Sequence, residues 1–434
     1  MSAYAMSQEN SPFSRYGLGD VFPSQPIASR AMGSLSAAFL DGQAVNTQNP
    51  ATYSYNHFVT YDFGVSIDAR NLKSARPALA FPSTNFTPSY LTLAVPINQK
   101  KGIGMAIGLR PVTRINYNVM QSGRLNGIDS VHTIYEGNGG LNQFFVGFGK
   151  KWGGLSAGFN TGFNFGRRET NTRTILVNDS VSYQSGLQGT TTSFKSVFLE
   201  GGLLYEAKLA SKPGKVKGSK DSYFLRLGAT GTLKQTLHGS MDSLAETFSY
   251  DANGATLKLD SVRTVTNIKG NIIYPRKFSA GFMLQKAYAD ERGSFDRWMI
   301  GADITMQQWG TDYRFYNLKD NVNNSVAFHI GGSYIPDATD VAKFWSRVTY
   351  RAGFNMGKDY INADTKGLKT FAGSFGFGFP IRRWRAYDYQ FSLINTSFEV
   401  GKRGTGVNNV TESFFKFSLG LSLSDIWFRK HKYD

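Results

Sequence analysis

The sequence predicts an all-β fold, a transmembrane antiparallel barrel of about fourteen strands with an N-terminal lumen plug. Three observations predict it. Apolar and polar residues alternate over segments of about 9–11 residues, the length a tilted strand needs to cross a bilayer with its other face toward a wet or filled lumen. Soluble sandwiches alternate too, but on strands of about five or six residues. The connections between these segments alternate short and long. Finally, no window approaches the roughly 18 consecutive apolar residues of a membrane-spanning helix. Composition agrees: among 434 residues there are 47 glycines, 14% aromatics and only 18% charged residues. The absence of cysteine excludes disulfide scaffolds, thiolate metal sites, iron–sulfur clusters and cysteine nucleophiles.

Residues 1–56 do not alternate. Ala3 and Ala5 form an A-x-A pattern with no apolar stretch ahead of it, the expected remnant of a secretory signal. Small residues and turn formers follow, in a composition suited to a segment folded into a lumen. The barrel is expected over 57–424. Its first strand, 57–69, sets Val59, Tyr61, Phe63, Val65, Ile67 and Ala69 against Thr60, Asp62, Gly64, Ser66 and Asp68. Strands are then expected at 90–96, 102–116, 142–151, 153–167, 192–208, 221–235, 274–287, 296–309, 325–336, 345–357, 367–379, 385–399 and 411–424. Representative lipid-facing stripes are Val197, Leu199, Leu203 and Tyr205, and Val348, Tyr350, Ala352, Phe354 and Met356. The last strand carries Phe415, Phe417, Leu419, Leu421 and Leu423, the Phe- and Leu-rich pattern that barrel-assembly machinery commonly recognises. Beyond it, Trp427 and Phe428 in a periplasmic tail at 425–434 are expected at the membrane interface.

Connections after even-numbered strands are mostly tight, as at 98–102, 150–153 and 380–383; those after odd-numbered strands are long, at 70–89, 117–141, 168–191 and 236–273. This is the asymmetry of a bacterial outer-membrane barrel with short turns in the periplasm, and it puts both chain ends on that side. Alternation inside two long loops (Thr174/Leu176 and Leu257/Leu259) predicts hairpins projecting above the membrane.

The run 30–51 holds Met32-Gly33, a small-residue stretch, Asp41-Gly42, and then Asn49-Pro50-Ala51 just before the first strand. It resembles the N-terminal hatch of the FadL-type transporters of hydrophobic compounds. That family has fourteen strands and an N-terminal plug. The resemblance therefore implies a hatch, here Asp41, Gly42, Asn49, Pro50 and Ala51, whose movement releases a hydrophobic ligand bound below the extracellular loops. The charged tail, together with Ser-Pro-Phe-Ser-Arg-Tyr-Gly at 11–17, resembles outer-membrane proteins of the Bacteroidota. There FadL-like barrels also serve as partners in secretion and assembly complexes.

Ionisable residues expected in the lumen are Asp62, Asp68, Arg110, Glu200, Glu206, Arg226, Asp303, Arg347, Arg351 and Asp388. Both signs are present, so they are expected to pair across the interior and hold the plug. Forty-eight Lys+Arg stand against 31 Asp+Glu, a net +17, and basic residues gather in the tight turns: Lys100/Lys101, Lys150/Lys151, Lys212/Lys215/Lys217/Lys220, Arg382/Arg383/Arg385 and Arg429/Lys430/Lys432. The charge thus reads as a periplasmic rim facing anionic lipid or an acidic partner, with solvated turns as the plain alternative, and not as a nucleic-acid surface.

His57, His132, His238, His329 and His431 lack metal-ligand spacing, and the glycine strings at 137–140 and 147–149 lack the Gly-Lys-Ser/Thr of a phosphate loop. No catalytic residue, metal or cofactor is expected. His329 is expected to be a hydrogen-bonded lumen residue, and inward glycines to make room for the plug. Two functions stand: uptake of hydrophobic compounds across the outer membrane, or a non-transporting accessory subunit of a Bacteroidota outer-membrane assembly or secretion complex. The basic turns, the charged tail and a lumen set of Gly, Ser, Thr and charge favour the second.

Overall fold

A computed structural model of the chain describes residues 11–425, apart from 75–78, 127, 179, 182, 215–218, 251–255, 291–292, 341, 364–365, 383–390 and 405–409. Sixteen strands of ten or more residues follow one another: β1 (Val59–Ser74), β2 (Leu79–Asn98), β3 (Ile103–Leu125), β4 (Ile128–Trp152), β5 (Leu155–Val177), β6 (Ser185–Pro213), β7 (Lys220–Thr232), β8 (Gln235–Tyr250), β9 (Thr256–Tyr274), β10 (Lys277–Asp290), β11 (Gly293–Gln307), β12 (Ser325–Tyr334), β13 (Thr349–Ala363), β14 (Lys366–Arg382), β15 (Phe391–Arg403) and β16 (Val410–Asp425).

Fourteen of them form a closed antiparallel barrel. β7 pairs with β10 from Lys277↔Thr232 onward, and β16 returns to β1 from Val410↔Ser74 to Asp425↔Val59. The remaining two, β8 and β9, leave the wall as a hairpin whose β8 pairs with the upper part of β6, Ser185↔Phe248 to Lys195↔His238.

The period of two decides which side chain meets lipid. Along β6, Thr192, Ser196, Phe198, Glu200 and Leu204 are buried, while Val197, Leu199, Leu203 and Tyr205 between them are exposed. A slip of one residue would turn every one of these to the wrong face, so the pattern and the register specify each other.

Three expectations are corrected. The long loops at 70–89 and 117–141 are mostly strand: β1 and β2 are joined at 75–78, and β3 and β4 at 126–127. Near these tips apolar residues no longer keep to one parity, as in the adjacent Val119 and Met120, so the alternation fades, yet each backbone N–H and C=O still has to pair and the ladder continues. Second, the strand expected at 345–357 begins at Thr349. Residues Phe344–Arg347 form a helical turn whose Phe344 and Trp345 rings pack on Phe379, and Val348 is buried instead of facing lipid.

The third correction follows from that turn, because Arg347 lies in it with its guanidinium over the Phe344 ring, outside the lumen set. Ser11 lies at the long-loop end, where it bonds Glu412 near the start of β16, whereas Asp425 lies at the opposite end beside Val59, so residues 11–55 run the length of the lumen. The chain ends expected in the periplasm lie outside the described residues. Ala3, Ala5, Lys215, Lys217, Arg383, Arg385, Asp388, Trp427, Phe428 and the rest of the tail lie outside the described residues.

Leu419, midway along β16 and exposed, faces the bilayer. Leu419→Arg is expected to lower stability by about 2–4 kcal/mol in urea-dependent refolding into lipid vesicles. An unchanged midpoint would show that this face does not contact lipid.

Candidate functional site

The lumen is where the polar chemistry gathers, and its centre is the N-terminal segment. Two short helical turns shape the segment's lower half. Ile27–Arg30 begins after Pro26, and Pro50–Tyr55 begins with Pro50 at its first position, where a missing N–H costs nothing. Asn49 caps the second turn by accepting from the Ala51 N–H (3.1 Å), and its Nδ2 donates to the carbonyls of Ala37 (2.6 Å) and Leu203 (3.1 Å). One side chain thus joins cap, segment and wall. Ala51 is fully buried, Asp41 receives Arg351 Nη2 at 3.2 Å, and Gly42 is exposed.

Wall residues grip this segment from around the barrel. On β15, Glu399 Oε1 accepts Arg30 Nε at 2.9 Å, and both side chains are buried; Arg30 Nη1 also donates to Ser66 on β1. Asp303 on β11 accepts the backbone N–H groups of Ser36 and Ala37. Asp62 on β1 accepts the Val45 N–H and the hydroxyls of Tyr90 and Ser422. Arg110 on β3 donates to Glu200 (2.8 Å), Gln143 (2.8 Å) and the Thr47 carbonyl (3.0 Å), and Arg226 pairs with Glu206 at 2.8 Å. The His329 ring nitrogen Nδ1 lies 2.7 Å from the Gly33 carbonyl. Inward glycines give the segment its clearance. A Cβ on Gly104 would overlap the Tyr53 carbonyl, and one on Gly353 would overlap the Gly33 backbone nitrogen.

The segment also joins the wall itself. β2 and β3 pair only from Leu91↔Leu109 down to Asn98↔Ile103. Above that level, the edge of β3 is taken by the N-terminal segment: Asp20 pairs with Arg114, Val21 with Thr113, and the Phe22 N–H donates to the Val112 carbonyl at 2.9 Å. Pro88 and Pro111 stand at the point where pairing between the strands stops, and a proline removes a ladder donor. The Asp20 carboxylate is clamped from the lumen by Arg403 (2.8 Å) and Arg70 (3.2 Å). These two guanidiniums also hold Asp359, Asp68 and Glu412. Val21, 47% exposed, lines the space left inside the lumen.

The sequence matches the BamG family over residues 1–434. The chain belongs to that family. No curated protein sequence matches it. Among solved structures it is similar to a FadL homologue of Pseudomonas aeruginosa (13% identity, 95% of this chain and 100% of that one, TM-score 0.53). It is also similar to the toluene transporter TbuX of Ralstonia pickettii (14%, 92% and 98%, 0.52) and to the P. putida toluene transporter TodX (15%, 94% and 99%, 0.51). At these identities the likeness shows a shared fold, a FadL-like barrel.

In this BamG-family chain a chamber of about 360 Å³ remains between the segment and the loop end. Its lining includes Asp20, Arg110, Glu200, Lys277, Arg403 and Glu412. Above it, Trp309 stacks on Tyr360 with ring centroids 4.4 Å apart, packed with Phe13, Leu18, Tyr274 and Tyr313. Beside this cluster the buried Asp312 is bonded to the exposed Arg276 guanidinium (2.6 and 2.8 Å), which holds its carboxyl below the usual carboxylate range. Among the described residues no group of His, Cys, Asp or Glu is placed to hold a metal ion.

Arg30, Asp20, Arg70, Glu399, Arg403 and Glu412 belong to this network and were not among the residues expected to carry it. Parity held a signal for four of them: Arg70 continues the even-numbered face of Asp62 and Asp68, Glu412 that of Ser418 and Ser422, and Glu399 and Arg403 the odd-numbered face of Asn395 and Ser397. Arg30 sits in a stretch with no period, where no face can be assigned. Arg30→Ala should strand the Glu399 carboxylate and cost about 3–5 kcal/mol, seen as a lower midpoint of unfolding in detergent. Pairing it with Glu399→Gln should recover part of that loss, and a full-sized loss in both variants would deny the coupling.

Proposed function

We propose that this protein is a non-transporting, membrane-embedded subunit of an outer-membrane protein assembly or secretion complex, with its tight turns in the periplasm and residues 11–56 serving as a fixed plug. One observation carries this reading: the N-terminal segment is tied by buried ion pairs and hydrogen bonds to strands around the barrel, and also pairs with the edge of β3 where β3 parts from β2. A hatch that moves in each transport cycle would have to break several buried charge contacts at once, each costly to leave unpaired. Asn49 then acts as a strut, because it bonds the wall as well as the segment. Membership of the BamG family weighs on the same side.

The second reading is uptake of a hydrophobic compound. It is favoured by the barrel's likeness to proteins named as toluene transporters. The chamber itself does not separate the readings, because Arg110, Glu200, Lys277 and Arg403 line it together with apolar Val112, Leu141, Met356 and Phe414.

Gentle detergent extraction of the native protein separates the two. The subunit reading expects stoichiometric co-purification with other outer-membrane and periplasmic proteins, and no hydrocarbon uptake by proteoliposomes holding the barrel alone. Recovery of the barrel by itself with about one bound hydrocarbon or fatty acid would overturn it. In planar bilayers the full chain should be silent, whereas a variant lacking residues 11–22 should show discrete conductance steps.

A further inference from the structure

The tight-turn rim is electrically lopsided. Lys100 and Lys101 lie in the turn between β2 and β3, Lys150 at the end of β4, Lys208 and Lys212 at the end of β6, and Lys220 at the start of β7. The registers Ile103↔Lys150, Leu155↔Tyr205 and Pro213↔Lys220 bring these ends side by side along one arc of the barrel. All six lysines are exposed, and among the described residues none has a carboxylate within ion-pair distance. The carboxylates in the same arc are already engaged, Glu206 by Lys151 and Arg226, and Asp221 by Lys286. Among the described residues around the turns that follow β10 and β12, Asp296, Asp337 and Asp340 stand among Arg297, Lys343 and Arg347, so both signs are present there.

The depth of the arc decides what it meets. Lys150 shares the outward face of β4 with Phe148 and Trp152, and its ammonium lies over the Trp152 ring at 5.0 Å, with that ring 53% exposed. Beside it, Leu155 on β5 and Tyr205 and Leu209 on β6 are exposed on the same side. An aromatic ring and a lysine stem at the edge of an apolar belt are the components of a membrane interface, where the ring sits at headgroup level and the ammonium extends toward the phosphates. A soluble acidic protein approaching from below meets the turns but not the lipid-facing flank of β4.

We propose that this arc is a binding surface for the phosphate groups of anionic glycerophospholipids in the leaflet at the tight-turn end. Each basic residue near an anionic bilayer surface strengthens association about fivefold, and six on one arc give a preference that a sign-balanced rim does not. The assignment does not depend on whether the barrel transports. It would orient the barrel within the membrane and draw anionic lipid to one flank.

The test uses the full chain in neutral detergent, titrated with phosphatidylglycerol or phosphatidylcholine and read by native mass spectrometry. The wild type is expected to retain phosphatidylglycerol at least about tenfold better. The variant K100E/K101E/K150E/K208E should lose that preference while keeping the heat-modifiable mobility of a folded barrel. If it does not fold, the milder K150Q/K208Q variant should reduce the preference several-fold. Equal retention of the two lipids by the wild type would overturn the proposal, as would an undiminished preference in the folded variants. Loss of co-purifying proteins with lipid preference intact would assign the arc to an acidic protein, and also overturn it.

Discussion

The cost of an unpaired charge in a closed, low-dielectric interior governs how this barrel is built. Strands β1, β3, β6, β11, β13 and β15 each turn at least one ionised side chain inward, and an isolated buried ion costs several kcal/mol. A wall alone cannot satisfy them all, because neighbouring strands offer only what the alternation places on the same face. Residues 11–55 supply the missing partners: Arg30 for Glu399, backbone N–H groups for Asp303 and Asp62, the Thr47 carbonyl for Arg110, and Asp41 for Arg351. The filled lumen is thus the state in which the wall's own charges are compensated.

The same segment answers a second constraint, the exposed strand edge. Where β2 and β3 part company, β3 would present unpaired backbone groups at membrane depth, which lipid does not tolerate. Asp20 and Val21 pair with that edge, and the Arg70 and Arg403 cluster holds Asp20 in place from inside. Electrostatic and backbone satisfaction therefore converge on a few residues, and the segment becomes part of the wall as well as its filling.

Outside the lumen, the surface is divided by depth and by side. Aromatic and aliphatic residues cover the belt, lysines without partners line one arc of the tight-turn rim, and β8 and β9 extend the wall upward beside β6.

Much of this was determined locally by the sequence. Strict alternation, with Asp62, Arg110, Glu200 and Asp303 on the polar parity, was enough to assign fourteen wall strands and their inward faces, because a period of two binds side-chain direction to strand geometry. Inward glycines announced that something packs close to the wall. The alternation could not reveal where strands end, since their tips carry no period, nor the fate of residues 11–56, which have none at all. Which carboxylate receives Arg30, the edge that Asp20 and Val21 meet, and the end of the barrel reached by Ser11 depend on pairings between residues up to 401 positions apart. Only the closed barrel brings those groups within hydrogen-bond distance, and so only the tertiary structure decided how the segment is held in the lumen.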